Sequence, residues 1–491
     1  MTSVVGGHIC DFRSPKPLSE DTLQDVGLNF EYGEYFGGFE LLQNIIATGA
    51  SIGTGEPSNN PAFCPTPAHL NLAATAAIHP RWTSRAESRD ARDVADEAFR
   101  VLQYTLQTVG PAGFAGAFKF AKTKPRNRYQ SKHSDESADS ENEIVSSYAK
   151  ERSLFAQVDS FWQLVGWAFN TARNFPDRWE RWHLLLSFWL DLLDEDVDRQ
   201  IKLCESGEPQ STHGPAWTLL RCDEGSRHAR RRILRAIMAD GSSKAMAEFP
   251  EVFKNETKPK QKQSIALKKE VVNIEENRWA DYDDNEEDVV MEDAAPVTSN
   301  NPCDMDAPPL RVRFVSTLLH FSTIPDNPLA ELEELLDVLT ECIRALPLDD
   351  FRQILRGLKV PIDIRIALFA NTLLPFLPSI PKKIDILNID EATIRKHFLA
   401  YAANTANVMD QVKMNLLVEY LIVDMIDDKR LTYSYNLMEM TKKGMHARLT
   451  QLSFYAKKGV KGESKRLDDN ARDELLRSQE RVIVYLELLQ G

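Results

Sequence analysis

The chain has 491 residues, enough for two to four domain-sized units, and its 43% hydrophobic and 27% charged content is ordinary for a globular protein. Its six cysteines (Cys10, Cys64, Cys204, Cys222, Cys303 and Cys342) form no C-x-x-C pair, which argues against a disulfide framework or structural zinc and for a reducing compartment. Of the net charge of −14, the stretch 273–306 supplies −11 through twelve Asp or Glu against one Arg, so the acidity belongs to a segment and the rest is near neutral.

In chain order, the first residues, MTSVVGGHICDFRSPKPLSED, lack a basic region followed by an apolar run, so no secretory signal is expected. Residues 1–60 read as a loosely ordered N-terminal segment. Ser14, Pro15, Pro17 and Ser19 punctuate it. Gly33, Gly37 and Gly38 precede a short helical run at Phe39–Ala47, and Gly49, Gly53, Gly55, Pro57 and Pro61 follow as loop signals. Loose packing, or draping over a partner, is the expectation.

Residues 61–121 read as a helical segment. Thr66 is an N-cap with Pro67 at the first helical position, and the run ends before Pro80. A second helix spans Ser88–Val109, with Val94, Ala98, Val101, Leu102 and Leu106 at helical spacing, and Gly110–Pro111 stops it. Residues 122–143 are polar, basic then acidic, and read as a disordered linker. Ser134, Ser137 and Ser140 there have an acidic context suited to phosphorylation.

Residues 144–252 read as a tryptophan-rich helical unit. Six of the eight tryptophans lie between Trp162 and Trp217. Leu154, Val158, Phe161, Val165 and Ala168 step by four, three, four and three, which predicts one helical stripe. Pro176 opens the next helix, where Trp179, Trp182, Leu186, Trp189 and Leu193 repeat the stepping. Leu184, Leu185 and Phe188 add apolar side chains off that stripe, which predicts burial on most sides. The two helices predict an antiparallel hairpin across Asn174–Pro176.

Residues 253–309 read as a second disordered linker, lysine-rich at Lys254–Lys269 and acidic from Glu275. Residues 310–491 read as a C-terminal helical domain. Its helices are expected at Leu329–Ile343 with Asn327–Pro328 capping the start, Phe351–Leu358, Ile362–Leu377, Ile389–Ala403, Met409–Ile426, Leu437–Tyr455 and Asp468–Leu489. The longest uncharged apolar stretch, Ile366–Ile380, is broken by Pro375 and Pro378 and falls short of the ~20 residues a bilayer span needs. Period-two alternation is nearly absent. The expected fold is all-α: helical hairpins or a bundle, with HEAT-like stacking as one form, interrupted by disordered charged linkers.

Motifs for chemistry are sparse. There is no H-E-x-x-H, phosphate-binding glycine loop or G-x-S-x-G elbow, and His69, His79, His320 and His397 lack spaced ligand partners. No metal or cofactor is expected. Arg178 and His183 form an Arg-x(4)-His pair of the kind some all-α ribonucleases use, Arg for a phosphate and His for a proton. The plainer reading is the wet side of a tryptophan helix. Arg227, Arg231 and Arg235 fall on one helix face, a row that would suit phosphates. The favoured alternative is a solvated face, or one paired with acidic residues. Trp279 and Tyr282, set among carboxylates, are candidate anchors for basic proteins such as histones.

These observations lean away from an enzyme. The leading expectation is a non-enzymatic helical scaffold or adaptor, a subunit of an intracellular, nuclear multiprotein complex, with other protein subunits as partners and no membrane. The lysine run at 254–269 is the import signal this compartment would use. The alternative is a nucleic-acid-binding protein using Arg227–Arg235, and behind it the ribonuclease.

Overall fold

The computed structural model describes residues 12–49, 60–120, 144–221, 226–258, 307–381, 384–405, 407–455 and 463–490. The fold is all-α. The first helices are α1 (Glu20–Glu31), α2 (Tyr35–Gly49), α3 (Pro67–Ile78) and α4 (Arg89–Val109). Next come α5 (Leu154–Gln157), α6 (Phe161–Asn174), α7 (Pro176–Ser206), α8 (Pro215–Leu219), α9 (Arg227–Ile237) and α10 (Ser243–Glu248). The remainder are α11 (Ala307–Ser322), α12 (Leu332–Ala345), α13 (Leu348–Gly357), α14 (Ile362–Leu373), α15 (Glu391–Ile394), α16 (Val408–Asp427), α17 (Tyr435–Tyr455) and α18 (Glu463–Leu488). Two three-residue strands, Pro15–Pro17 and Ala62–Cys64, pair in parallel with Pro15 opposite Ala62.

Local chemistry sets most helix starts. Backbone N–H groups donate to the side chains of Ser19, Thr66, Ser88, Ser160 and Ser226, which satisfies donors that have no intrahelical partner. Gly110, at φ +69, ends α4. Gly207, at φ +73, ends α7 in the left-handed conformation glycine adopts without strain.

The helices pack neighbour to neighbour along the chain. Helix α2 lies on α4, α4 on α3, α3 on α7 and α7 on α6. The path continues from α6 to α9, α12, α14, α16 and α18, while α11 bridges α7 and α13. One hydrophobic cluster runs from Leu18 to Leu486, so the helical halves on either side of 259–306 share a core. Helix lengths range from 4 to 31 residues, so the succession has no fixed repeat. Trp167, Trp182 and Trp189 are among the largest fully buried side chains.

Several expectations need correction. The N-terminal segment is not loosely packed over its described part: Val26, Phe30, Phe39, Leu42 and Ile46 are buried in the common core. Gly37 and Gly38, expected to precede the helical run at Phe39–Ala47, lie inside α2, and a Cβ at Gly38 would sit 2.5 Å from the Phe30 ring. The absent side chain admits the ring, so packing decides that glycine rather than turn chemistry. The stripe from Leu154 to Ala168 is buried throughout but is not one helix. Helix α5 is a single turn, Val158 is extended, and Ser160 starts α6 afresh. Of the predicted apolar flank of α7, Leu185 and Phe188 are buried but Leu184 is exposed. Asn327 accepts from the N–H groups of Leu329 and Ala330, yet α12 begins only at Leu332. The expected 253–309 linker is narrower at both edges: Phe253 and Glu256 are buried, and α11 begins at Ala307 with Pro308 and Pro309 in its first turn.

The helix expected at Ile389–Ala403 is α15 followed by a π-helical turn, Arg395–Leu399. Gly444 of α17 lies against that turn, where a Cβ would run into the Leu399 carbonyl. The fully buried Arg448, one turn further along α17, donates to the same carbonyl at 3.3 Å. We therefore expect Gly444→Ala to lower unfolding stability by at least about 1–3 kcal/mol in chemical denaturation, because the obstacle is backbone rather than a movable side chain.

Candidate interaction surfaces

The arginine row on α9 meets a carboxylate at each of its three positions. Glu341 of α12 accepts from Arg231 at 2.7 and 3.0 Å and also from Arg227. These contacts, the Arg231 hydrogen bond first, hold the Glu341 carboxyl below its ordinary value. Arg235 donates to both oxygens of Glu248, at 2.8 and 2.9 Å, and the adjacent Arg230 reaches Glu334 at 3.1 Å. Arg227, Arg230 and Arg231 therefore lie along the seam between the two helical halves, whereas Arg235 pairs with α10 of its own half. Arg227 and Arg231 keep 54% and 43% side-chain exposure, so each pair adds little stability. The two-point contact of Arg231 with Glu341 gives them an orienting role.

The same seam continues at α7 and α11. Arg313 reaches Asp194 at 2.6 Å and Asp191 at 2.7 Å, and the Thr317 hydroxyl donates to Asp194 at 2.5 Å. Arg311 lies over the Phe169 ring at 5.1 Å and donates to the Ala239 carbonyl at 2.6 Å. Below it lies a cleft of about 250 Å³ lined by Phe169, Arg173, Asp240, Arg311, Asp350 and Gln353, with two cations balancing two carboxylates.

Arg178 is only 2% exposed. It pairs with buried Glu256 and donates to Thr83 Oγ1 and the Ile78 carbonyl, each at 2.8 Å. Glu256 also accepts from the N–H groups of Val252 and Phe253. Burial pushes the carboxyl up and the guanidinium down, and their mutual attraction and hydrogen bonds oppose both shifts. His183 stands about 140° further round the helix, against the Trp179 ring at 5.4 Å. The ribonuclease reading is therefore corrected: Arg178 is enclosed by the chain's own groups and cannot hold a substrate phosphate.

Beside Arg178 lies an aromatic cluster from four separate segments. His79 packs edge-on to Tyr148 at 4.9 Å and Phe253 at 4.7 Å, and Tyr148 meets Trp82 at 4.5 Å. Arg81 donates to the Tyr148 hydroxyl at 2.8 Å, and the Tyr35 hydroxyl bonds Ser146 at 2.8 Å. Burial, with Arg178, Arg152 and Arg81 nearby, lowers the His79 pKa to about 3. The imidazole is thus neutral at physiological pH, accepting the Arg81 N–H at 3.2 Å.

Trp279 and Tyr282, the predicted anchors for basic proteins, lie outside the described residues. Sequence reasoning missed two exposed apolar groups. Leu28, Tyr32 and Phe36 stand out from the α1–α2 hairpin, and Leu476, Val484 and Leu488 from α18. Their signal was present as apolar residues off the buried stripe of each helix. Among the described residues, no group of three or more His, Cys, Asp or Glu is placed to hold a metal ion, and no helix is long and apolar enough to cross a membrane.

Glu256→Ala is expected to cost about 3–5 kcal/mol in denaturant unfolding, because it strands the Arg178 charge in the core. The Arg178→Met/Glu256→Leu double variant should recover most of that loss, a non-additivity that a double-mutant cycle reads directly. For His79, the folded pKa of about 3 lies below the unfolded value near 6.5. The unfolded chain therefore binds the proton first, and the stability His79 supports falls as pH drops from about 6.5 toward about 3. His79→Asn keeps an acceptor for the Arg81 N–H and should lose less stability than the parent chain between about pH 7 and pH 4, by thermal unfolding.

The chain matches no protein-family model, and no curated protein or solved structure matches it.

Proposed function

We propose that this protein is a non-enzymatic helical scaffold or adaptor, a subunit of a larger multiprotein complex, with the nucleus as its compartment. The observation that carries the reading is the placement of exposed large apolar side chains. Leu28, Tyr32 and Phe36 mark the first two helices, and Leu476, Val484 and Leu488 the last. Between them the helices share one core, so two apolar faces are held at opposite ends of the packing order. Groups of apolar side chains left in water support a partner-binding reading where they lie on one face. The lysine run followed by a carboxylate-rich stretch with Trp279 and Tyr282 supports the nuclear setting and a basic partner.

The test is native co-purification at moderate salt with nuclease treatment, read by quantitative mass spectrometry. Protein partners near one-to-one, retained after nuclease, are expected. A chain recovered alone, or partners lost with nuclease, would count against the scaffold and favour nucleic-acid binding.

A further inference from the structure

The two exposed apolar faces differ in their charge: on α18 both signs are exposed around the apolar residues, as Arg472, Arg477, Glu480 and Glu487. Helix α1 buries Val26 and Phe30. On its outward side Asp21, Asp25, Leu28 and Tyr32 follow one another at steps of four, three and four residues, which places them on one stripe. All four are exposed, Tyr32 at 78%. Phe36 and Glu40 continue an outward stripe on α2, one turn apart and both exposed. Glu20, Glu31 and Glu34 are exposed around the same hairpin. Among the described residues, no ion pair is recorded for these six carboxylates, Glu20, Asp21, Asp25, Glu31, Glu34 and Glu40. From Pro17 to Pro80 the sequence contains no Lys and no Arg. Within 17–80 the charges are thus all of one sign, and Arg81 of the following segment faces Tyr35 on the inner side of the hairpin.

We infer that the outward face of the α1–α2 hairpin docks a basic amphipathic helix of a partner protein. Leu28, Tyr32 and Phe36 provide the apolar anchors, and a helix presents apolar residues at matching three- and four-residue intervals. The carboxylates select Lys or Arg flanking that stripe, speed encounter and fix the docked orientation. This rests on the scaffold reading and names the chemistry of one partner.

Other occupants fit less well. A second copy would set this acidic face against itself, because a two-fold dimer presents the same patch from both sides. The chain's own basic runs lack the apolar half. Lys122–Lys132 has only Tyr129 as a large apolar residue and is broken by Pro125. Lys254–Lys269 has its apolar residues, Ile265, Ala266 and Leu267, consecutively rather than at helical spacing. Nucleic acid would be repelled.

The probe is a fluorescent Lys/Leu amphipathic peptide of about 18 residues, long enough to hold a helix. It is compared with a scrambled peptide of the same composition, using the full chain and anisotropy at two salt concentrations. Micromolar-range binding of the patterned peptide is expected, weakening with salt, with the scrambled peptide at least about tenfold weaker. Asp21→Lys/Asp25→Lys and Leu28→Ser/Tyr32→Ser should each weaken binding by about tenfold or more, and Ile380→Ser/Tyr435→Ser, at exposed apolar residues elsewhere, should leave it unchanged. All substituted side chains in the hairpin variants are exposed, so the fold is retained. Equal binding by the hairpin variants, or by the scrambled peptide, overturns the proposal. So does a tenfold gain on deleting residues 260–269, which would assign the face to the chain's own lysine run, or a dimer that Leu28→Ser/Tyr32→Ser dissolves. Co-purification with the same variants separates the two readings. If they retain every partner of the parent chain, this face fails and the scaffold stands. If the parent chain itself comes back alone, the scaffold fails.

Discussion

The buried ion pair between Arg178 and Glu256 organises the first half of the molecule. It sits at the start of α7, the longest helix, and gathers three segments that are distant in sequence: the end of α3 through Ile78 and Thr83, the first turn of α7, and the chain around Val252 and Phe253. Charges out of water persist only when their hydrogen-bonding capacity is met. Here the guanidinium donates to a carbonyl, a hydroxyl and a carboxylate, leaving its buried Nε–H without a partner among the described residues, and the carboxylate accepts two backbone N–H groups besides. Because those groups are fixed in direction, the pair sets where α3 and 252–256 lie against α7. The tryptophans of α6 and α7 then fill the volume so defined.

The second half uses polar groups in the same way. Lys413 of α16 donates to the carbonyls of Arg344 and Leu346 at 2.7 Å each, where the last turn of α12 would otherwise leave acceptors unmet. Arg448 donates to Asn415, Asn415 to Ser478, and Ser478 to Glu419, which also accepts from Arg481. Burial pulls Arg448 down to about 10, still charged at neutral pH. Apolar faces alone allow helices to slide past one another, whereas such a network has one satisfied arrangement. It holds α16, α17 and α18 in register and positions α18 with its remaining apolar side chains outward.

Across the seam, the charges that looked most like an outward-facing site are engaged inward. Arg227, Arg230 and Arg231 of α9 orient one half on the other, and the α7–α11 contacts around Asp194 do the same. What faces solvent instead is an acidic hairpin with apolar side chains at one end of the packing order and an apolar helix face at the other.

Much of the helical framework was legible in the chain. Thr66 with Pro67, Ser88, Gly110 and Pro176 act on backbone groups within a few residues, so their consequences are local and the helices start or stop where they stand. The spacing of Trp179, Trp182, Leu186, Trp189 and Leu193 likewise announced a buried helix. Which charges meet which could not be read, because those contacts join residues far apart in sequence: 78 positions between Arg178 and Glu256, 110 between Arg231 and Glu341, 119 between Arg313 and Asp194. An arginine row looks the same whether it awaits a phosphate or a glutamate from another helix. Glu256 sits among lysines that read as solvated linker, and Gly38 reads as lying ahead of the helix until the Phe30 ring is placed against it. Caps and periodicity are properties of short stretches and follow from sequence alone. Pairing and burial depend on the whole chain's path, so only the tertiary structure decided them.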